Sequence, residues 1–322
     1  PERRARKPPL LLVHGALTGS WLWSSFAGYF AERGWEAHAL NFRGHYTSDL
    51  ADLAETTMAD YATDIGVAVR QLGKPPVLVG WGIGGLAAMM YAARHPVLGL
   101  VLLAPSPSAA VLPRKPIEHE LKQVPPVYDA EWWGWIAPVN ELHDAMPDMN
   151  DDDLSKMQEM LAGARESGSA RKERMLGVQV DTARINVPAL VIGAGLDDVV
   201  HPNEARRTAD LLGAAYEYFP SASHFGLVMG ERTWPEVAGS VLGWLEERRR
   251  AGRDVCFVIG GAYGTALEGA DHTLSFGPAT LPHLLAPGLS GRHRDDGRPA
   301  GPVPRRVARQ RCRRTTRTGR AA

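Results

Sequence analysis

Val79-Gly80-Trp81-Gly82-Ile83-Gly84-Gly85 is the stretch on which the fold turns. It follows an apolar run at residues 76–79 and leads into a helix-period stretch at residues 84–94. A continuous apolar run, rather than an alternating one, is what a strand covered on both faces requires. Glycines at 80, 82, 84 and 85 between strand and helix predict a sharp turn in which backbone passes close to backbone.

The same signature recurs upstream at residues 9–13 and 37–40 and downstream at residues 98–103 and 189–192, with a last strand at residues 216–219. Helix-period stretches lie between these runs, at about residues 21–33, 58–72 and 205–212. A terminal helix at about residues 235–248 sets Val237, Val241, Leu242, Trp244 and Leu245 on its apolar side. Strand and helix in alternation give a doubly wound, mostly parallel sheet joined by right-handed crossovers. Residues 105–186 break the alternation: no buried-strand run occurs there, only prolines, the cluster Trp132-Trp133-Gly134-Trp135 and a polar helical stretch opened by Asn150-Asp151-Asp152-Asp153. They read as an inserted, mainly helical lid over the C-terminal edge of the sheet, where ligands bind in such folds. The tryptophans either line a substrate pocket or pack the lid onto the core, and packing is the commoner use of such a cluster.

Five motifs stand at strand ends in a fixed order: His14-Gly15-Ala16, Asn41-Phe42-Arg43-Gly44-His45, the glycine-rich turn, Gly195-Leu196-Asp197, and Phe219-Pro220 followed by His224. In motif and order, residues 8–247 resemble the α/β-hydrolase superfamily. That family carries Gly-x-Ser-x-Gly on a strained strand-to-helix turn. Here Gly80 and Gly84 flank the turn, Trp81 is a familiar choice at the variable position, and Gly82 stands where the serine is expected. A glycine has no hydroxyl with which to attack a carbonyl. A single serine-to-glycine change, natural or introduced, accounts for the departure. The resemblance implies Asp197 as the triad acid, with Asp198 the second choice, and His224 as the base. It implies an oxyanion site made by the backbone N–H groups of Ala16 and Ile83, which need no particular side chain.

A rival reading uses the same glycines. Gly80-x-Gly82-x-x-Gly85 formally satisfies the dinucleotide fingerprint, but the acidic residue expected about 20 residues on is replaced by Leu103-Ala104-Pro105-Ser106. The motif also follows the third apolar run rather than the first. The fingerprint reading fails on both counts.

Composition bounds the remainder. The 322 residues are 44% hydrophobic and 22% charged, and no apolar run reaches the roughly 20 residues of a bilayer span. Membrane and metal partners are not expected. Two cysteines, Cys256 and Cys312, imply no disulfide framework and fit a cytoplasmic location. The formal net charge of zero conceals a division: residues 287–322 hold eleven arginines against Asp295 and Asp296. That stretch is too poor in apolar residues to build a core and is expected to be a disordered basic tail. A nucleic-acid arm is the sharper alternative, weakened by the absence of aromatics after Phe276.

Between hydrolase pattern and tail, residues 251–286 begin a new apolar strand at Val255-Cys256-Phe257-Val258-Ile259-Gly260-Gly261. With Phe276-Gly277-Pro278-Ala279-Thr280-Leu281 it resembles the C-terminal half of the knotted-class ribosomal large-subunit pseudouridine methyltransferases. The resemblance implies S-adenosylmethionine contacts from Gly261 and from Phe276, Gly277, Pro278, Ala279, Thr280 and Leu281. The N-terminal half of that family is missing, so the segment reads as a remnant joined by gene fusion or by an artefact of assembly. The expected organisation is therefore residues 1–250 as an α/β-hydrolase domain, residues 251–286 as the fragment, and residues 287–322 as the tail. The expected function is that of an esterase- or lactonase-derived protein acting on a small hydrophobic carbonyl compound without a cofactor. It retains an Asp-His dyad and lacks the acyl-enzyme step. A non-catalytic small-molecule binding protein and an rRNA methyltransferase remnant are the alternatives.

Overall fold

A computed structural model describes residues 7–251. The first strand, β1 (Leu10–Val13), is followed by a short 3-10 turn, helix α1 (Ser24–Glu32) and β2 (Ala37–Ala39). Then come α2 (Met58–Leu72), β3 (Val77–Trp81), α3 (Ile83–Ala92) and β4 (Gly99–Leu103). An insertion carries α4 (Glu118–Gln123), β5 (Val127–Asp129), α5 (Ala130–Trp133), α6 (Val139–Ala145), α7 (Asp151–Leu161), β6 (Arg165–Ser167) and α8 (Gly168–Leu176). The chain returns to the sheet with β7 (Ala189–Ala194), α9 (Pro202–Leu212) and β8 (Ala215–Phe219), and α10 (Trp234–Ala251) closes the unit.

The six strands of the main sheet lie in the order β2-β1-β3-β4-β7-β8, every neighbouring pair parallel. The inner strands β1, β3, β4 and β7 are buried along their whole length, which is why their sequences are continuously apolar. One face buries Phe26 and Phe30 of α1 and Val237, Val241 and Leu245 of α10. The other buries Tyr61 and Ile65 of α2, Leu86 of α3 and Ala205 of α9. Two cores on opposite faces make the sheet doubly wound, as the alternation of runs predicts.

Local chemistry sets the helix limits. Thr57 caps α2 by accepting from the Asp60 N–H, the Asp60 carboxylate accepts from the Thr57 N–H, and Gly73 ends the helix in the left-handed region. Helix α3 is apolar almost all round because it runs through the interior, with nine of its ten residues buried.

The insertion is mainly helical but also contains an antiparallel ribbon, β5 with β6, that its sequence does not announce. Each strand is three residues long, too short for alternation to register. In the tryptophan cluster, Trp133 packs on Trp135, and Trp135 stands edge-on to Phe225 with ring centroids 4.8 Å apart. Trp135 is buried, so the cluster ties the insertion to the loop that carries His224. Among the described residues no helix is long and apolar enough to cross a membrane.

Candidate active site

Gly82 sits between β3 and α3 with φ +57° and ψ −123°, a conformation that costs a side-chain-bearing residue about 1–3 kcal/mol. The other glycines of the turn serve a different need. A Cβ on Gly80 would lie 2.7 Å from the Gly84 carbonyl oxygen, one on Gly84 2.3 Å from the His14 oxygen, and one on Gly85 2.8 Å from the Pro105 side chain. Those positions are closed by packing. At Gly82 the nearest atom to a Cβ would be Nε2 of His224 at 3.4 Å, an ordinary contact. The turn has the strained shape of a nucleophile elbow, and a Cβ at Gly82 would meet only ordinary contacts.

His224 and Asp197 come together from loops after β8 and β7. Gly195 lets that crossing happen, since a Cβ there would lie 2.2 Å from the Pro220 carbonyl oxygen. His224 donates from Nδ1 to Asp197 Oδ2 at 2.7 Å. The other oxygen, Asp197 Oδ1, accepts the N–H groups of Val199 and Val200 at 2.9 and 2.7 Å. Both side chains are deeply buried, at 5% and 6% exposure, so the pair is held away from water. With Nδ1 committed to Asp197, Nε2 is the nitrogen presented to Gly82. Asp198 makes no such contact, and burial followed by the charge of Asp197 raises its pKa. Trp81 packs its ring against the imidazole at 4.5 Å between centroids and donates from Nε1 to the His224 carbonyl at 3.1 Å. The residue at the variable position of the motif therefore braces the histidine.

The loop after β1 lies against the elbow, with Gly15 Cα 3.8 Å from the Cβ position of Gly82. His14 is fully buried. It donates from Nδ1 to the Gly15 carbonyl at 2.8 Å and accepts the Phe42 N–H on Nε2 at 3.0 Å. Burial, then the neighbouring charge of His45, pushes its pKa down to about 3, so the ring is neutral. Thr18 donates to the same Gly15 carbonyl at 3.0 Å. Ile83 opens α3, so its N–H is one of the first-turn donors without a partner inside the helix. Ile83 follows Gly82 directly, and Ala16 follows Gly15 in the loop that lies against it.

Two carboxylates from the insertion reach this site, and neither stands out in the sequence. Asp148 Oδ2 accepts the N–H of Ser223, the residue before His224, at 3.1 Å, and the Thr233 hydroxyl at 3.1 Å. Glu166, 1% exposed, takes the Leu17 N–H on Oε2 at 3.1 Å, next to Ala16. His45 donates from Nε2 to the same oxygen at 3.2 Å, and Tyr61 and the Ser167 N–H donate to Oε1. Asp148 and Glu166 escape the reading because their partners lie on distant stretches of chain.

Among the described residues no group of three or more His, Cys, Asp or Glu side chains is arranged to hold a metal. The expected S-adenosylmethionine contacts, Gly261, Phe276, Gly277, Pro278, Ala279, Thr280 and Leu281, and the tail at residues 287–322, lie outside the described residues.

Residues 10–240 match the alpha/beta hydrolase family. A pyrethroid hydrolase from Sphingobium wenxiniae is 27% identical over 218 residues, 62% of this chain and 74% of the relative. A ribosomal RNA large subunit methyltransferase H from Gemmatimonas aurantiaca is 50% identical over 46 residues, 13% of this chain and 30% of that protein. Among solved structures, an esterase from Exiguobacterium antarcticum superposes with a TM-score of 0.60 at 17% identity, over 74% of this chain and 92% of the other. The enol-lactonase from Burkholderia xenovorans does so at 0.56 and 20% identity, over 76% and 94%. Structural likeness at these identities speaks for the fold alone.

Proposed function

The chain belongs to the alpha/beta hydrolase family, and from that premise we infer that it binds a small ester or lactone at the Gly82 elbow and hydrolyses it without an acyl-enzyme. The observation that carries this reading is Nε2 of His224, left over from the bond to Asp197 and 3.4 Å from where a Cβ on Gly82 would stand. A water beside Gly82 gives its proton to Nε2, and its oxygen bonds to the carbonyl carbon. The carbonyl oxygen takes the negative charge and is met by the Ala16 and Ile83 N–H groups. The tetrahedral species then collapses, the ester C–O bond breaks, and the imidazolium returns the proton to the leaving alkoxide. Asp197 holds the imidazole orientation and stabilises its protonated form without taking the proton. A relative named as a pyrethroid hydrolase supports hydrolysis of a small molecule.

The test is pre-steady-state hydrolysis of p-nitrophenyl butyrate. No burst and no covalent adduct are expected, with His224→Ala lowering the rate about 100-fold or more. A burst with an adduct on the chain, or an undiminished His224→Ala rate, overturns the reading. Binding of the ester with no turnover favours the alternative of a non-catalytic binding protein.

A second reading concerns residues 251–286 only, and the 50% identity over 46 residues favours it. On this reading the segment is a remnant of a large-subunit methyltransferase. A match to 30% of that protein supplies only part of a cofactor's contacts, so affinity is poor. Calorimetric titration with S-adenosylmethionine is expected to be flat. Micromolar binding that Gly261→Val abolishes would reverse this.

A further inference from the structure

The peptide that carries the Ala16 N–H is held from both sides. On its carbonyl side, the Gly15 oxygen accepts from His14 Nδ1 and from the Thr18 hydroxyl. A peptide group is planar and trans, so fixing the Gly15 oxygen points the Ala16 N–H the opposite way. On the other side, the next N–H, that of Leu17, is fixed by Glu166 Oε2. Leu17 has φ +61°, a left-handed conformation that a leucine adopts only where its surroundings impose it. Glu166 supplies that imposition from the insertion, 149 residues away in the chain.

The carboxylate is built to stay ionised. Four donors converge on it: the Leu17 N–H, His45 Nε2, the Tyr61 hydroxyl and the Ser167 N–H. Only an acceptor-only group, the carboxylate anion, satisfies all four. His45 faces acceptors on both ring nitrogens, since Nδ1 meets the Arg43 carbonyl at 2.9 Å, so it is the protonated partner. Burial alone would push His45 down and Glu166 up. Their mutual attraction wins in both, raising His45 and holding Glu166 at about 2. The other titratable groups coupled to the pair are Asp64 and the neutral His14, and, in the insertion, the Arg171 guanidinium and the Tyr128 hydroxyl. Tyr61 stacks its ring on Phe42 at 4.6 Å, which anchors the cluster to the loop after β2.

We propose that Glu166, held ionised by His45 and Tyr61, is the positioning residue of the oxyanion site: it fixes Leu17 and through it aims the Ala16 N–H at the substrate carbonyl. The inference rests on the reading above that Ala16 and Ile83 bind that oxygen. It assigns to the insertion a part in the chemistry.

An oxyanion donor acts on the transition state more than on bound substrate, so mis-aiming it lowers kcat and spares KM. Glu166→Gln keeps the shape and removes the charge. With p-nitrophenyl butyrate it is expected to lose roughly 10-fold in kcat, with KM within about 2-fold and the midpoint of the pH–rate profile unmoved. Amide hydrogen exchange at Leu17, followed by NMR on the unliganded full chain, should accelerate about 10-fold or more, with the Ala16 resonance displaced. Tyr61→Phe removes one donor and keeps the ring, so it tests the same coupling should Glu166→Gln fail to fold. It should give a smaller kcat loss in the same direction, with the melting midpoint lowered by a few degrees at most. Leu17 and Ala16 amides unchanged in Glu166→Gln, or in Tyr61→Phe if the first does not fold, overturn the proposal. So does a loss confined to KM. If the unaltered chain shows no turnover, the hydrolytic reading has failed by itself, and the amide readout alone decides the positioning role.

Discussion

At the scale of the residue, Gly82 is where shape and chemistry part company. The backbone at +57°, −123° is the strained form that displays a nucleophile, yet the residue there feels no strain because it has no Cβ. Gly82→Ser therefore moves two quantities in opposite directions. It costs stability of about 1–3 kcal/mol, read as a lowered denaturant midpoint with the slope unchanged. It also places a hydroxyl against His224 Nε2, and p-nitrophenyl butyrate should then give a burst and a covalent adduct that the unaltered chain lacks. Gly82→Ala is the control: the same loss of stability with no burst. Adding His224→Ala to Gly82→Ser must abolish the gain, and equal rates in the two would refute a restored triad. Gly84→Ala behaves differently from either, because its Cβ would lie 2.3 Å from the His14 carbonyl oxygen and neither backbone segment has anywhere to go. We expect it to fail to accumulate as folded protein, measured as loss of soluble yield.

At the scale of the element, what the sequence made legible follows from how local the cause is. Helix α2 is read correctly at residues 58–72 because its start and stop are written within it, Thr57 with Asp60 at one end and Gly73 at the other. Thr57→Ala is expected to cost about 1 kcal/mol in chemical denaturation. The inner strands are legible because burial on both faces forces a continuous apolar run. Asp197 and His224 are legible as residues at strand ends, and the structure brings them within 2.7 Å. The ribbon β5–β6 and Glu166 were not legible. The strands are too short to show a period, and a glutamate whose donors come from residues 17, 45 and 61 looks like any surface acid when only its neighbours are read. In the sequence Trp81 reads as a familiar letter of a motif, but its packing on His224 is a tertiary fact.

At the scale of the whole molecule, the buried histidines give stability a defined pH dependence. His14 titrates at about 3 in the fold and near 6.5 in an unfolded chain, so between those values the unfolded state binds the extra proton. Its contribution therefore falls as pH drops from about 6.5 to about 3, by up to roughly 1.4 kcal/mol per pH unit. His45 has the opposite sign: raised by Glu166, it contributes fully below about 6.5, and that contribution is lost as pH rises through its folded value. Denaturation midpoints across pH 3–7 should slope less steeply in His14→Gln than in the unaltered chain, and an identical slope would show that another group carries the acid sensitivity. The ion pair between Lys7 and Glu246 has a consequence of another kind. Its 3.0 Å contact, with Lys7 also 4.8 Å over the Trp35 ring, sets the start of β1's approach beside α10, whose last residue lies only about 7–8 Å further along the helix. Beginning and end of this unit are neighbours, so the order in which its elements are strung is not fixed by its architecture. A circularly permuted chain, with residues 251 and 7 bridged by a short glycine-serine linker and new termini opened at exposed Pro75 between α2 and β3, should reach the same doubly wound sheet, with the loop that carries Ala16 now following His224 in sequence instead of preceding the elbow.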